Sequence, residues 1–179
     1  IGRLVGSEMC IRDRDMGMPA LAVTDHGNMM AAFQFVRACN KEGIKPIVGA
    51  ELNVCRDMHD KSVKDDGYPT VFLAKNKKGY HNLAKLASKA YTEGFYYVPR
   101  IDRALVEEYK EDLAVLTGGL FGEVPSLILN VGEAQAEEAF VFWKNLMGND
   151  FYVELNRHGL EEEAAVSYTH LRAHETTDN

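Results

Sequence analysis

The sequence predicts an α/β fold, because apolar runs of strand length alternate with amphipathic stretches of helix length. Residues 20–24 form the first apolar run, and residues 28–41 form the first amphipathic stretch. This alternation favours parallel strands joined by right-handed crossovers. The five predicted strands are too few to close a (β/α) barrel of the usual size. The alternatives are an open sheet or a partial barrel truncated at both ends.

Each element follows from a local pattern. Gly43 ends the first helix as a C-terminal glycine, and Phe33 and Tyr80 belong to the predicted inner faces of the first two helices. Residues 56–69 are polar and include Asp65-Asp66-Gly67, which predicts a loop or hairpin connection. The predicted strands are residues 20–24, 45–54, 70–74, 112–117 and 151–155. The predicted helices are residues 28–41, 77–91, 100–108, a short one ending at Leu129, and 133–147.

Composition limits the function classes. The chain has 179 residues and a formal net charge of −7, so broad contact with nucleic acid phosphates is disfavoured. Cys10, Cys39 and Cys55 are widely spaced, which favours a reducing, cytoplasmic setting over a disulfide framework or a cysteine zinc site. No apolar run approaches the ~20 residues that span a bilayer, and the N-terminus lacks the apolar core of a secretory signal.

Both ends differ abruptly from the rest of the chain. Residues 1–14 and 166–179 resemble translated adapter or vector sequence, so the natural segment is predicted to be residues 15–165. His170 and His174 are spaced like two metal ligands on one helical turn. Because they fall in the foreign-looking C-terminal stretch, they are not expected to form a site.

The strongest candidate for chemistry is Asp25-His26 together with Glu51. Asp25 and His26 follow the first predicted strand and Glu51 lies toward the far end of the second, so their side chains are expected at the same rim of adjacent parallel strands. Imidazole and carboxylate groups would suit zinc, manganese or iron, and a metal-bound water would serve as a hydrolytic nucleophile. The alternative is that Asp25 caps a turn, His26 packs beside it and Glu51 is solvated.

Other polar positions carry weaker signals. His81 is expected to be a surface or capping residue, His158 a loop residue, and His59 has no evident role. The glycine-rich segment 118–122 follows a strand, as a phosphate-binding loop would. It lacks the Walker lysine and the dinucleotide-binding spacing, so a packing turn is favoured.

Two stretches carry a specific resemblance. Residues 16–28 have the sequence Met-Gly-Met-Pro-Ala-Leu-Ala-Val-Thr-Asp-His-Gly-Asn, and residues 43–51 have Gly-Ile-Lys-Pro-Ile-Val-Gly-Ala-Glu. Both resemble the PHP (polymerase and histidinol phosphatase) domain that opens the alpha subunit of bacterial DNA polymerase III. The resemblance continues in residues 73–83, 88–91, 116–119 and 151–155. It implies a distorted (β/α) barrel of seven units with a metal cluster at its C-terminal rim.

The resemblance also implies site residues. His26 and Glu51 fall on metal-ligand positions of the family, and Asp25 stands beside the first. Metal-bearing members have a histidine where this chain has Pro69 and a cysteine where it has Gly119, and neither residue here has a ligating side chain. The family's His-x-His strand would precede Met16 and its late Asp-x-His pair would follow Ala165, so truncation accounts for both. Truncation does not account for Pro69 and Gly119, and these two departures imply a vestigial site, with residual zinc or manganese as its only expected metal.

The function implied by the resemblance belongs to a parent protein. That parent would be a DNA-directed DNA polymerase of chromosomal replication, using two magnesium ions held by aspartates of a palm domain outside this sequence. This segment would be structural and would dock the proofreading exonuclease among other replicase subunits, while DNA is contacted elsewhere. The alternative is an active metal-dependent phosphoesterase or 3′–5′ exonuclease using His26 and Glu51. A free-standing histidinol-phosphatase-like enzyme is a weaker third hypothesis.

Overall fold

The computed structural model describes residues 7–166 as a mixed α/β unit. Its strands are β1 (Ala20–His26), β2 (Lys45–Cys55), β3 (Tyr68–Ala74), β4 (Arg100–Asp102), β5 (Leu113–Leu116) and β6 (Phe151–Tyr152). Its helices are α1 (Ser7–Asp15), α2 (Ala32–Glu42), α3 (Lys77–Thr92), α4 (Arg103–Tyr109), α5 (Glu123–Asn130) and α6 (Glu133–Met147). A 3₁₀ turn at Gly148–Asp150 precedes β6, and residues 161–166 are helical. The α/β prediction is confirmed, whereas His170 and His174 lie outside the described residues.

The strands form one sheet in the order β1-β2-β3-β5-β6, with β4 paired to the end of β2. The pairs β1–β2, β2–β4 and β5–β6 are parallel. β3 runs antiparallel to both β2 and β5, so the expectation of parallel pairing throughout was wrong at this strand. The physical reason is the polar 56–67 connection, which contains no helix and therefore returns as a long hairpin rather than a crossover.

Two element boundaries differ from the sequence prediction. Residues 100–102 form β4 instead of opening a helix, and α4 starts at Arg103, where the Asp102 carboxylate accepts a hydrogen bond from the Leu105 amide at 2.9 Å. α2 begins at Ala32 rather than Asn28, because the Asn28 side chain closes a turn by accepting from the Met30 amide at 2.9 Å. A strand of three residues is too short to show periodicity, so β4 was missed.

The N-terminal stretch that looks foreign contains α1, which is followed by β1. Arg14, near the end of α1, forms an ion pair with Glu42 at the end of α2. The proposed boundary between residues 14 and 15 stays a prediction, as does the boundary after residue 165.

The main core lies on one face of the sheet. Leu52, Phe72 and Val115 point to that face and are fully buried, together with Leu83 and Leu86 of α3. α2 packs through Phe35 and Cys39, together with Ile44 just after it, against β1. Phe33 of α2 is 77% exposed, so its predicted inward position was wrong. Tyr80, at 40% exposure, also lies outside the core that was predicted for it.

The opposite face of the sheet is only partly covered. Paired residues of neighbouring strands point the same way, so Glu51, Val71 and Leu116 share this face, and all three are half-buried. His26 lies on the same face and is exposed. A sheet with one covered and one open face agrees with the predicted partial barrel. No helix in residues 7–166 is long and apolar enough to cross a membrane.

Candidate functional site

The parallel register of β1 and β2 places His26 directly opposite Glu51. The imidazole Nδ1 lies 2.7 Å from the carboxylate Oε1, and the two side chains are 66% and 34% exposed. Both residues stand at the C-terminal end of the β1–β2 pair, where functional side chains of parallel strands gather. The structure therefore brings together two of the three residues that the sequence analysis singled out.

Asp25 has a different set of contacts. It precedes His26 in β1, so its side chain points to the opposite face of the sheet. Its Oδ2 accepts a hydrogen bond from the Ala31 amide at 2.9 Å, which secures the turn before α2. Between Asp25 and Ala31, the amide of Gly27 donates a hydrogen bond to the Glu51 carbonyl oxygen, 2.7 Å away. Gly27 has a φ of 71°, a backbone conformation that favours glycine. Asp25 thus supports the backbone next to the pair, and its role beside a metal ligand stays a prediction.

Pro69 and Gly119 both lie near this rim. Pro69 is opposite Asn53 in the β2–β3 register, two residues beyond Glu51. The backbone at Gly118 packs against the Pro69 carbonyl oxygen, since a Cβ added there would lie 2.5 Å from it. A Cβ at Gly119 would meet the side-chain nitrogen of Asn156 at 2.8 Å. Neither side chain offers a donor atom to a metal. The hypothesis that Pro69 and Gly119 occupy degenerate ligand positions requires this, and it stays a prediction.

The donor set is too small for a metal centre of the catalytic type. An imidazole and a carboxylate suit zinc or manganese, but catalytic zinc sites use about three protein ligands and a water. Within residues 7–166, no group of three or more His, Cys, Asp or Glu side chains is placed to hold a metal ion. The His26–Glu51 pair alone therefore does not fit the metal cluster that the PHP resemblance implies.

A second histidine–carboxylate pair joins His158 to Glu163. The His158 Nδ1 lies 2.7 Å from Oε1 of Glu163, whose other oxygen accepts from the backbone amides of residues 158–160. Burial raises the pKa of the Glu163 carboxyl, but the His158 ring and these amides outweigh burial and hold the pKa below its ordinary value. This geometry fixes the start of the helical segment 161–166 and marks the pair as a cap.

The remaining candidates from the sequence, His81 and the glycine-rich segment 118–122, make contacts that are typical of structural roles. His81 is exposed and contacts Tyr80 edge-on, with ring centroids 5.7 Å apart. The glycine-rich segment packs tightly, because a Cβ on Gly122 would lie 1.8 Å from the Thr117 carbonyl oxygen. That contact favours the packing turn over a phosphate-binding loop.

Sequence reasoning missed Arg100, a fully buried side chain at the start of β4. Its guanidinium donates to the carbonyl oxygens of Gly94 at 3.1 Å, Asp65 at 2.8 Å and Met58 at 3.2 Å. It also lies over the Tyr96 ring, 5.3 Å from the centroid. A single arginine in a short apolar stretch carries no pattern, and arginine is mostly exposed, so no sequence signal pointed to this role.

The class of protein follows from sequence similarity, which covers the sheet, its helical layer and the polar pair at the rim. A family model described as "PHP domain" matches residues 6–158, and the chain belongs to that family. Among curated relatives, it is 39% identical over 165 residues to the DNA polymerase III subunit alpha of Borreliella burgdorferi, covering 90% of this chain and 14% of the relative. The subunit of the same name from Treponema pallidum is 43% identical over 159 residues, covering 86% of this chain and 14% of the relative.

A third relative is matched over similar shares of this chain and of its own length. The DNA polymerase III subunit alpha of Thermus aquaticus is 39% identical over 158 residues, which cover 83% of this chain and 13% of the relative. The chain thus spans only about one-seventh of the length of the relatives it matches. The similarity identifies the PHP segment of such proteins and leaves the rest of their sequence unmatched.

Proposed function

We propose that this chain is the PHP domain of a DNA polymerase III alpha subunit, whose parent protein catalyses DNA-templated DNA synthesis in the cytoplasm. The support is the family match over residues 6–158, together with the relatives described above, which carry this name. The parent is a nucleotidyltransferase, and its magnesium-binding aspartates lie in a palm domain outside this sequence. This chain itself holds no polymerase chemistry.

Within the parent, the domain acts as a structural element that docks the proofreading exonuclease and other replicase subunits. The observation that favours a structural role over a hydrolytic one is the incomplete rim site. His26 and Glu51 bond to each other, while Pro69 of β3, which pairs with Asn53 two residues beyond Glu51, has no donor to offer. A hydrolase of the metal-dependent type would need further ligands at this rim.

The alternative, an active metal-dependent phosphoesterase or 3′–5′ exonuclease, draws its support from the His26–Glu51 pair alone. Zinc or manganese would be the metal, because both donor types suit these ions. The hypothesis has less support than the structural role, since the described residues offer two donors where such sites use about three.

The test assays the full 179-residue chain for primer extension and for hydrolysis of single-stranded DNA, with zinc or manganese added. We expect neither activity, and nucleotide incorporation by this chain would contradict the proposal that the polymerase aspartates lie outside this sequence. Hydrolysis that is lost in His26→Ala, but kept in the control His81→Ala, would favour the phosphoesterase alternative. Docking is measured separately by titrating the chain with the purified exonuclease subunit, where we expect a 1:1 complex and where no binding at high micromolar concentration would contradict it.

A further inference from the structure

A polar cleft whose lining does not include His26 or Glu51 lies between the end of β2, the start of β3 and the first residues of α4 and α5. Its volume is about 580 Å³, which is within the usual range of roughly 300–1,000 Å³ for small-molecule sites. The donors in its lining come from three separate places in the fold: Arg56 follows β2, Tyr68 begins β3 and Arg103 begins α4. The carboxylates in the lining are Asp65 and Glu123.

Both carboxylates are already engaged by the protein. Asp65 accepts from the amides of Gly67 at 2.9 Å and Arg56 at 3.1 Å. Glu123 pairs with Arg103 through one oxygen and accepts from the Trp143 indole nitrogen through the other, at 2.8 Å. The acceptors of the cleft are therefore occupied before any ligand arrives.

The donors of the cleft are not occupied in the same way. Among the described residues, the Arg56 guanidinium and the Tyr68 hydroxyl have no hydrogen-bond partner, and Arg103 uses only one of its three nitrogens, on Glu123. Arg103 is held in place by Glu123 and by the Phe142 ring, 4.1 Å from its guanidinium carbon. A guanidinium fixed in this way keeps its planar fork ready for an oxyanion.

We propose that this cleft binds the phosphate group of a small molecule between Arg56 and Arg103. A carboxylate presents two oxygens in one plane, whereas donors that arrive from three separate elements suit the tetrahedral oxygens of a phosphate. The net charge of −7 does not prevent such a contact, because charges more than about 8 Å away are largely screened at physiological salt. This site goes beyond the proposed function and does not depend on the His26–Glu51 pair.

Trp143 provides the readout, since it is the single tryptophan of the chain and its indole N–H contacts Glu123. Inorganic phosphate is titrated into the full chain while the indole N–H resonance is followed by NMR. We expect a saturable shift, weakened roughly tenfold or more in Arg56→Gln, because one set of charge-assisted hydrogen bonds is lost. Arg56→Gln is chosen because the Arg56 side chain makes no bond that folding needs.

The matched control is Arg37→Gln, an exposed residue of α2 that carries the same charge and does not line the cleft. It should bind phosphate as the unmodified chain does. An indole resonance that does not respond to phosphate, or an equal loss in both variants, would overturn the proposal. Acetate is titrated as a second probe, and binding as tight as that of phosphate would assign the cleft to carboxylates and overturn the phosphate assignment.

Discussion

Arg100 donates a hydrogen bond from Nη1 to the carbonyl oxygen of Asp65, 2.8 Å away, although 35 positions separate them in sequence. The same guanidinium reaches the Met58 and Asp60 carbonyl oxygens at 3.2 and 3.4 Å. The long connection between β2 and β3 is therefore held against β4 through its backbone. Within this mostly polar connection, the buried guanidinium adds to the apolar anchor that Met58 provides.

Replacing Arg100 by methionine should destabilise the fold by about 3 kcal/mol or more, because several buried carbonyl oxygens lose their donor at once. The free energy of unfolding is measured by urea denaturation. Arg37→Met, on the exposed face of α2, should change it by less than about 0.5 kcal/mol. Equal stability of the two variants would show that the buried guanidinium does not hold the connection.

His26→Ala should change stability by less than about 1 kcal/mol, because exposed ion pairs contribute little. The imidazole is 66% exposed and its only side-chain partner among the described residues is Glu51. Urea denaturation of His26→Ala and Glu51→Gln measures the effect. A loss of several kcal/mol in either variant would mean that the pair is a structural element of the core rather than a surface feature of the rim.

Pro69→His should raise the affinity for zinc at least tenfold, since it restores a third donor on the face that carries Glu51. Diagonal positions on paired strands lie about 7–8 Å apart, within reach of a histidine and a shared ion. Isothermal titration with zinc compares this variant with Pro69→Ala. An affinity that is the same in both would reject Pro69 as a lost ligand position.

Glu163 is expected to make the stability of the fold depend on pH in the acid range. Its pKa is lowered in the folded state, so its contribution is present above its ordinary pKa of 4.5 and is lost as pH falls through the lower folded value. Glu163→Gln should therefore be less stable than the unmodified chain at pH 6, and the difference should shrink below pH 4.5. Thermal unfolding between pH 3 and pH 6 measures this difference, with the exposed Glu162→Gln as the matched control. An equal trend in both variants would contradict the assignment to Glu163.

Gly79→Ala should be strongly destabilising, because the added Cβ would lie 2.0 Å from the Asp112 carbonyl oxygen. That contact joins α3 to the residue before β5, and its relief requires the backbone to move. Gly43→Ala is the matched control, with a φ of 73° and open space around the added carbon. It should cost only about 1–2 kcal/mol through backbone strain. Equal melting temperatures for the two variants would contradict the close packing at Gly79.

The elements that sequence could predict are those with a repeated pattern. β1, β2, α3 and α6 each have enough residues for periodicity to show, and their predicted spans agree with the structure to within a few residues. β4 has three residues and was missed. The direction of β3 was also wrong, because it depends on whether the preceding connection contains a helix and not on the strand itself.

The candidate site could be predicted from the sequence for a similar reason. Adjacent parallel strands share a rim, so His26 and Glu51 could be placed together before their register was known. The role of Arg100 and the Arg56–Arg103 cleft could not be predicted from the sequence, since their contacts come from residues far apart in the chain. For Asp25, the sequence predicted the capping of a turn only as the alternative to a role in a metal site.

The central strand, β2, is paired with β1, β3 and β4, so its alignment determines that of most of the sheet. A shift of one residue would turn Glu51 into the helix-covered core and bring Leu52 onto the open face. Because a carboxylate among apolar side chains loses its hydration, such a misaligned sheet would be strongly disfavoured. The position of Glu51 on the open face therefore favours the observed alignment of β2 over one shifted by a residue, with or without a metal.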